Sequence, residues 1–153
     1  MICETIIRVR YSETDQMGIV YYSNYFVWME VGRTDLIRKS GITYKQIEEN
    51  GFLLPVVYAS AKFIGSAYYD DEIIIQSGLI ELSKTKLRIG YRIYRKTEND
   101  RELICVGLSD LVFLDKSTRK ITKAPEFFTK SITITPHQEY YQFLDEIKRY
   151  LKI

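Results

Sequence analysis

Apolar and polar residues alternate along most of the chain after Pro55. A period of two is typical of strands that bury one face of a sheet. The alternation is clearest over 85–95, where every second residue from 87 to 93 is apolar. Four strands are predicted in this part of the chain, at 57–63, 73–82, 85–95 and 103–115.

The first third of the chain predicts one strand followed by two helices. Residues 4–11 carry a short apolar run with arginines on either side, which indicates a strand. Over 24–39 the apolar residues follow helical spacing, and Gly41 then provides a stop signal. A shorter helix is predicted at 43–49. The long helix precedes all four of the later strands.

The remaining segments complete a single predicted domain of residues 1–153. Residues 116–135 are polar and predict irregular structure, whereas 137–152 predict an amphipathic helix. Consecutive strands joined by short turns pair antiparallel, and one long helix is enough to cover one face of the sheet. We therefore expect an α+β domain in which the four later strands form a meander.

Composition narrows the class of protein. The chain of 153 residues is 46% hydrophobic and 27% charged, with a net charge of +2. It contains no apolar run of the roughly 20 residues that span a bilayer, and no signal-peptide pattern at Met1. Cys3 and Cys105 are far apart and have no CxxC partner, which favours reduced thiols. We expect a cytoplasmic protein that binds neither membrane nor nucleic acid.

The residues for several common chemistries are missing. His137 is the only histidine and follows Pro136, where we expect it to begin the last helix rather than serve in a zinc site or a triad. The segment 107–111, GLSDL, lacks the second glycine of a nucleophile elbow and is interpreted as strand. No glycine-rich phosphate loop is present. Carboxylates, hydroxyls and backbone amides are left, and no metal or cofactor is expected.

A carboxylate lies close to the predicted start of the long helix. Asp15 and Gly18 belong to a loop over 12–22, and Ser23 and Asn24, residue types that cap helices, follow it. Free amides at a helix N-terminus carry partial positive charge and polarise a carbonyl docked there. Asp15 can then act on the carbonyl carbon or on a neighbouring water molecule. As an isolated residue, Asp15 would equally suit a turn.

The same segment resembles the 4-hydroxybenzoyl-CoA thioesterase family. The residues that carry the resemblance are Thr14-Asp15-Gln16-Met17-Gly18-Ile19-Val20-Tyr21, then Asn24-Tyr25, and further on Glu30, Arg33 and the segment from Leu114-Asp115 to Pro125. Together they cover about residues 4–128. The predicted helix at 137–152 lies outside the resemblance.

The resemblance implies a hot-dog fold, in which a five-stranded antiparallel sheet wraps around the 24–39 helix, with an extra C-terminal helix here. It also implies an acyl-CoA thioesterase that forms homodimers or homotetramers and closes its active site between two subunits. Asp15 would be the nucleophile or general base, and the Tyr22 N–H would polarise the carbonyl. Glu30 is a weaker rival for the catalytic carboxylate, while Trp28 and Tyr25 are expected to serve in packing.

Substrate contacts are expected at two places. Tyr21, Ser23 and Asn24 are candidates near the acyl group, with helix capping the first expectation for Ser23 and Asn24. The resemblance places the nucleotide end of CoA near the strand that begins around residue 84. The candidates there are Lys84, Thr85, Lys86 and Lys123, since basic groups suit phosphates.

Two other functions remain open at this point. An acyl-carrier-protein thioesterase would need a basic docking patch for an acidic protein. A non-catalytic module that binds acyl groups is the third possibility, although Asp15 argues against it. A pure binder gains nothing from a carboxylate placed beside a carbonyl group.

Overall fold

A computed structural model describes residues 1–153. The strands are β1 (Ile2–Arg8), β2 (Phe52–Leu53), β3 (Val56–Phe63), β4 (Glu72–Leu82), β5 (Lys86–Lys96), β6 (Arg101–Val112) and β7 (Leu114–Asp115). The helices are α1 (Ser23–Lys39), α2 (Tyr44–Glu49), α3 (Glu126–Ser131) and α4 (Gln138–Leu151), with a 3₁₀ turn at Tyr11–Glu13. None of the helices combines the length and apolar character that crossing a bilayer requires.

Five strands form one antiparallel sheet in the order β1-β4-β5-β6-β3. The predicted meander is right for β4, β5 and β6 but wrong for β3, which pairs with β6 at the sheet edge. Residues 64–71 cross the end of the sheet to reach β4. When extended they reach about 26 Å, whereas the three strand spacings to be crossed amount to about 14 Å. Alternation identifies a strand but carries no information about its neighbours.

Helix α1 lies along one face of this sheet, and the predicted hot-dog fold is confirmed. Its buried residues face the strands: Tyr25, Trp28, Met29, Gly32, Leu36 and Ile37. Gly32 brings the helix backbone against Ile75 and Ser77 of β4. Because one face of α1 is buried along its length, its apolar residues recur at helical spacing. The bounds predicted from that spacing, 24–39, therefore agree closely with the structure.

Helix α4 confirms the amphipathic helix predicted over 137–152, and it packs on the opposite face of the sheet. Phe143 and Ile147 are fully buried and lie over Gly78 and Gly90, which pair directly across β4 and β5. The Tyr140 hydroxyl donates to the Leu79 carbonyl at 3.1 Å. Because the two glycines have no side chains, they leave a groove on the sheet in which α4 packs.

Three other boundaries differ from the sequence predictions. The first strand ends at Arg8 instead of residue 11, because residues 11–13 form the 3₁₀ turn. The last predicted strand breaks at Phe113, and its end becomes β7, which pairs with β2. The segment expected to be irregular contains α3, where Phe128 packs on Phe113 with ring centroids 5.0 Å apart. The last two differences come from contacts between residues that are distant in sequence.

Gly32→Ala should destabilise the protein. A Cβ at position 32 would lie 2.7 Å from Ile75 Cγ2 and closer still to Ser77 Oγ. Alanine favours a helix over glycine by about 1 kcal/mol, but overpacking in a tight core costs about 1–3 kcal/mol. With two side chains obstructed, we expect a net loss of about 1–2 kcal/mol in the free energy of unfolding, measured by urea titration.

A second variant identifies the cause of that loss. The Ser77 hydroxyl is buried without a hydrogen-bond partner, so Ser77→Ala should cost little by itself. Combined with Gly32→Ala, it removes the nearer obstruction and should recover part of the lost stability. Wild-type stability of Gly32→Ala, or no recovery in the double variant, would contradict the proposed close packing.

Candidate active site

Asp15 lies in a tight loop between β1 and α1. Thr14 and Val20 form an isolated antiparallel bridge that closes the loop. Inside it the Asp15 N–H donates to the Ile19 carbonyl at 2.9 Å, and the Gly18 N–H donates to the Asp15 carbonyl at 3.0 Å. Gly18 has φ +80°, a left-handed conformation that suits glycine. These local bonds hold the backbone of Asp15 in one conformation.

The carboxylate of Asp15 is half-buried. Its Oδ1 accepts a hydrogen bond from the Met17 N–H at 2.8 Å. Oδ2 makes no hydrogen bond within the chain and remains available for a reacting group. A carboxylate held by one oxygen in this way is oriented, yet it keeps a free oxygen for proton transfer or attack.

A cavity of about 390 Å³ opens beside Asp15, between its loop and the end of β3. Its wall is largely aromatic and includes Tyr21, Tyr22, Tyr25 and Phe63. The rings of Tyr22 and Tyr25 meet Phe63 with centroids 6.0 Å and 5.3 Å apart. Tyr25, expected to serve only in packing, is 3% exposed and also lines the cavity. Asp15 is therefore the only acidic side chain among the residues that line the cavity, and none of the others is basic.

Tyr22 is the residue immediately before α1 and lines the same cavity. Its backbone N–H donates to no backbone carbonyl, and Tyr22 has helical φ and ψ of −56° and −30°. The N–H thus belongs to the free amides at the helix N-terminus, where partial positive charge accumulates. The residue that carries this amide and Asp15 thus line the same cavity, and together they offer the two elements that acyl transfer requires.

The expected capping by Ser23 and Asn24 is wrong. The residue at the cap position is Tyr22, and no side chain caps α1. Neither Ser23 nor Asn24 lines the cavity. The Asn24 side-chain amide instead donates at 3.1 Å to the carbonyls of Glu13 and Tyr21. Helix α1 begins one residue earlier than predicted, so the polar pair falls inside its first turn.

Glu13 is a residue that the sequence analysis missed. It is 4% exposed, and its Oε2 accepts a hydrogen bond from Trp28 Nε1 at 2.8 Å. Trp28 is buried, as expected, but this bond is an additional role for it. A glutamate among polar neighbours gives no sign of burial, and its partner lies on a different element. No signal in the sequence alone would have connected the two residues.

Glu30, the rival carboxylate, is exposed on α1 and does not line the cavity. Glu30 and Arg33 do not form the surface pair that their spacing allowed. Arg33 points into the fold toward the hydroxyls of Tyr44 and Tyr91. The structure thus brings Asp15, Tyr21 and Tyr22 together and leaves Glu30 outside their site.

Two of the four predicted CoA-binding residues lie together. Lys84 and Lys123 line a second cavity of about 650 Å³, where the Ala124 N–H donates to the Lys84 carbonyl at 2.8 Å. Thr85 and Lys86 do not line it. Lys86 Nζ instead lies 3.9 Å from carboxylate oxygens of Glu81 and Asp110.

The two cavities lie at opposite ends of β4. The Asp15 loop bonds to the segment before β4, since the Val20 N–H donates to the Ala67 carbonyl at 2.9 Å. Lys84 follows the last residue of β4, which has 11 residues. A strand of this length spans about 35 Å, more than an extended pantetheine arm can reach. An extended pantetheine arm alone therefore cannot connect Asp15 to Lys84 of the same chain.

The other polar candidates have structural roles. His137 Nδ1 accepts a hydrogen bond from the Tyr140 N–H at 3.3 Å, so His137 caps α4 at the expected position. Ser109, in the segment interpreted as strand, lies in β6 and bonds to the Tyr91 hydroxyl at 2.6 Å. No cluster of three or more histidine, cysteine or acidic side chains is arranged to hold a metal ion.

Comparisons with known proteins identify the family of this chain. The family model described as the thioesterase-like superfamily matches residues 9–132. The Bacillus subtilis strain 168 protein YneP, provisionally named an acyl-CoA thioesterase, is 40% identical over 114 residues, which cover 74% of this chain and 80% of YneP. The 4-hydroxybenzoyl-CoA thioesterase of Pseudomonas sp. strain CBS-3 is 27% identical over 93 residues, 59% of this chain and 66% of that protein.

A solved structure extends the similarity to the whole chain. The DHNA-CoA thioesterase of Staphylococcus aureus superposes with a TM-score of 0.77 at 25% identity, covering 99% of this chain and 93% of that one. The resemblance to the 4-hydroxybenzoyl-CoA thioesterases is thereby confirmed. With a matching family model over residues 9–132 and a relative 40% identical, this chain belongs to the thioesterase-like superfamily.

Proposed function

We propose that this protein hydrolyses acyl-CoA thioesters and that Asp15 is its catalytic carboxylate. The observation that supports the proposal is the cavity bordered by both the Asp15 carboxylate and Tyr22 at the N-terminus of α1. Its relatives are named for the same reaction on acyl-CoA and aroyl-CoA substrates. An acyl-carrier-protein thioesterase has no comparable support among them.

The chemistry follows from the two groups. The thioester carbonyl oxygen accepts a hydrogen bond from the Tyr22 N–H, and the helix N-terminus stabilises the negative charge that develops on that oxygen. Asp15 then either attacks the carbonyl carbon or removes a proton from the attacking water. Attack by Asp15 expels the CoA thiolate and leaves a mixed anhydride, which a water molecule then hydrolyses to the free acid and Asp15. In the other route the water adds to the carbonyl carbon and the CoA thiolate leaves from that adduct, which gives the free acid directly.

The wall of the cavity defines the acyl group that fits. Apart from Asp15, the cavity presents aromatic rings, aliphatic side chains and Ser66, without a cationic side chain. A carboxylate on the acyl group would lie there unpaired and near Asp15, at a cost in free energy. We therefore propose an uncharged acyl group, either aromatic or aliphatic.

Asp15→Asn should leave the fold intact and lower kcat at least ~100-fold, because an amide of the same size is neither a base nor a nucleophile. Release of free thiol from a panel of acyl-CoAs measures the effect. Asp100→Asn, the same change in the β5–β6 hairpin, is the matched control and should keep wild-type activity. Near wild-type activity of Asp15→Asn together with an inactive Glu30→Gln would move the assignment to Glu30.

We also propose a homodimer that forms along β3. This strand is a sheet edge with unpaired backbone groups, and exposed edges are usually covered. Several of its exposed side chains are apolar: Val57 is 58% exposed and Tyr58 is 53% exposed. On α1, Val27 and Val31 are also exposed and extend the apolar surface. A homotetramer could not assemble through the centre of the other sheet face, because α4 covers that face.

A two-fold axis at β3 would also explain the distance between the lysines and Asp15. Phe63 ends β3 beside the Asp15 cavity, whereas Val56 begins it at the end of the sheet that carries Lys84. Antiparallel pairing of two copies brings the Asp15 end of one beside the Lys84 end of the other. We propose that Lys84 and Lys123 of the partner subunit bind the phosphates of the CoA whose thioester lies at Asp15.

Mixing two inactive variants tests this arrangement. Asp15→Asn and the double variant Lys84→Ala/Lys123→Ala should each be impaired as homodimers. A heterodimer of the two contains one site with both wild-type Asp15 and wild-type lysines, so subunit exchange should restore activity toward half of the wild-type value at low substrate concentration. No recovery in verified heterodimers, or a stable, active 18 kDa monomer in light scattering, would contradict the shared site.

Turnover should persist after exhaustive treatment with a chelator. The proposed mechanism already has its electrophilic element in the helix amides, and a divalent ion at Asp15 would neutralise the charge that the reaction needs. Activity of chelated enzyme is compared with that of enzyme supplied with magnesium or zinc. If chelation abolished turnover and one metal restored it, the metal-independent mechanism would have to be given up.

The cytoplasm is the proposed compartment. Cys3 and Cys105 are both free and buried, and they form no disulfide. Burial raises the pKa of the Cys105 thiol to about 12, so it stays protonated and unreactive at neutral pH. Two unpaired thiols in the core suit a reducing environment.

A further inference from the structure

Glu13 is buried two residues before Asp15, and its bonds hold the local turn at Arg10 and connect this turn to α1. Its Oε1 accepts from the Arg10 N–H at 2.8 Å, and its Oε2 accepts from Trp28 Nε1 at 2.8 Å. Trp28 lies on α1 and is 1% exposed. The carboxylate therefore fastens the loop that carries Asp15 to the helix whose N-terminus faces the cavity.

The backbone of Glu13 makes a second connection. Its carbonyl accepts from the Tyr21 N–H at 2.9 Å and from Asn24 Nδ2 at 3.1 Å. The segment just before Asp15 is thus bonded directly to the segment just before Tyr22. Glu13 thus connects the two groups of the proposed reaction. Asp15 follows it in the chain by two residues, and Tyr22 follows the residue that bonds to its carbonyl.

Asn24 fixes the direction of the Tyr22 N–H. The Tyr21 carbonyl accepts from the Asn24 N–H at 3.0 Å and from Asn24 Nδ2 at 3.1 Å. In a planar trans peptide the C=O and the N–H point in opposite directions. Because the Tyr21 carbonyl is held toward Asn24, the Tyr22 N–H of the same peptide points away from Asn24, in the opposite direction within the peptide plane.

We propose that Glu13, Asn24 and Trp28 form a positioning clamp that sets the Asp15 carboxylate relative to the Tyr22 amide. The inference rests on the proposed function of those two groups and adds residues that act through them. Burying a carboxylate is costly, and an apolar side chain would fill the space with less desolvation. A charged acceptor with two donors at 2.8 Å gives a fixed geometry in return.

Glu13→Gln is the first variant. Glutamine has the same size, but its single side-chain oxygen cannot accept from both the Arg10 N–H and the Trp28 indole in the way two carboxylate oxygens do. We expect kcat to fall ~10–100-fold, since displacements of about 1 Å have effects of this size. KM should stay within about threefold of wild type, because the cavity wall is unchanged. Glu98→Gln, the same chemical change in the β5–β6 hairpin, is the control.

Asn24→Ala is the second variant and keeps the test decisive if Glu13→Gln does not fold. It removes the two side-chain hydrogen bonds from a partly exposed position, so the melting temperature should change little. The expected result is again a lower kcat at nearly constant KM. Folded Glu13→Gln and Asn24→Ala proteins with wild-type kcat would overturn the clamp; so would losses that follow the melting temperature alone.

Two further measurements separate this inference from the proposed role of Asp15. Trp28 is the only tryptophan, so loss of its bond to Glu13 should shift the tryptophan fluorescence emission of Glu13→Gln. The shift should appear in both the wild-type and the Asp15→Asn background. In the Asp15→Asn background, Glu13→Gln should lower the residual rate less than in the wild type, because the group it positions is absent. An active Asp15→Asn protein would refute the proposed catalytic role of Asp15, whereas equal effects of Glu13→Gln in both backgrounds would refute the clamp on Asp15.

Discussion

The packing of α1 against the sheet is the interaction on which the remaining structure depends. Gly32 allows the helix backbone to approach β4, and the large side chains on the same face fill the space on either side. With the helix held along the strands, its N-terminus has to emerge at the end of the sheet where the Asp15 loop and the end of β3 meet. The cavity is therefore a product of the main packing contact of the fold.

That position also explains how a site without histidine or metal ligands can polarise a carbonyl. The free amides of α1 provide partial positive charge without any charged side chain, and they cannot move away because the helix is packed along its length. Two carboxylates lie nearby in different environments. Glu13 is buried and fully bonded, whereas Asp15 keeps one oxygen free. Their hydrogen bonds thus distinguish the carboxylate that connects the loop to α1 from the carboxylate that we propose as catalytic.

The sequence predicted elements that depend on local pattern and missed those that depend on distant partners. The long helix, β4, β5 and the amphipathic α4 have strong periodicity, and Asp15 belongs to a motif contiguous in sequence. The edge position of β3 could not be predicted, because strand order depends on a loop that crosses the sheet end. Glu13 could not be identified either, since its burial depends on an indole contributed by α1. The separation of Lys84 from Asp15 requires the length and direction of β4.

The glycines beneath α4 connect the sheet to a helix that lies beyond the matched family region, residues 9–132. A Cβ at Gly78 would lie 2.8 Å from the Phe143 ring, and one at Gly90 would lie 2.5 Å from Ile147 Cδ1. The two glycines lie inside the matched region although the helix that packs on them lies outside it. The sequence of the sheet is thus adapted to the C-terminal helix. In related chains, a β-branched residue at either position leaves no room for a helix seated this closely. The pair of glycines, which face each other in adjacent strands, can therefore serve as a sequence marker for relatives that carry the same appended helix.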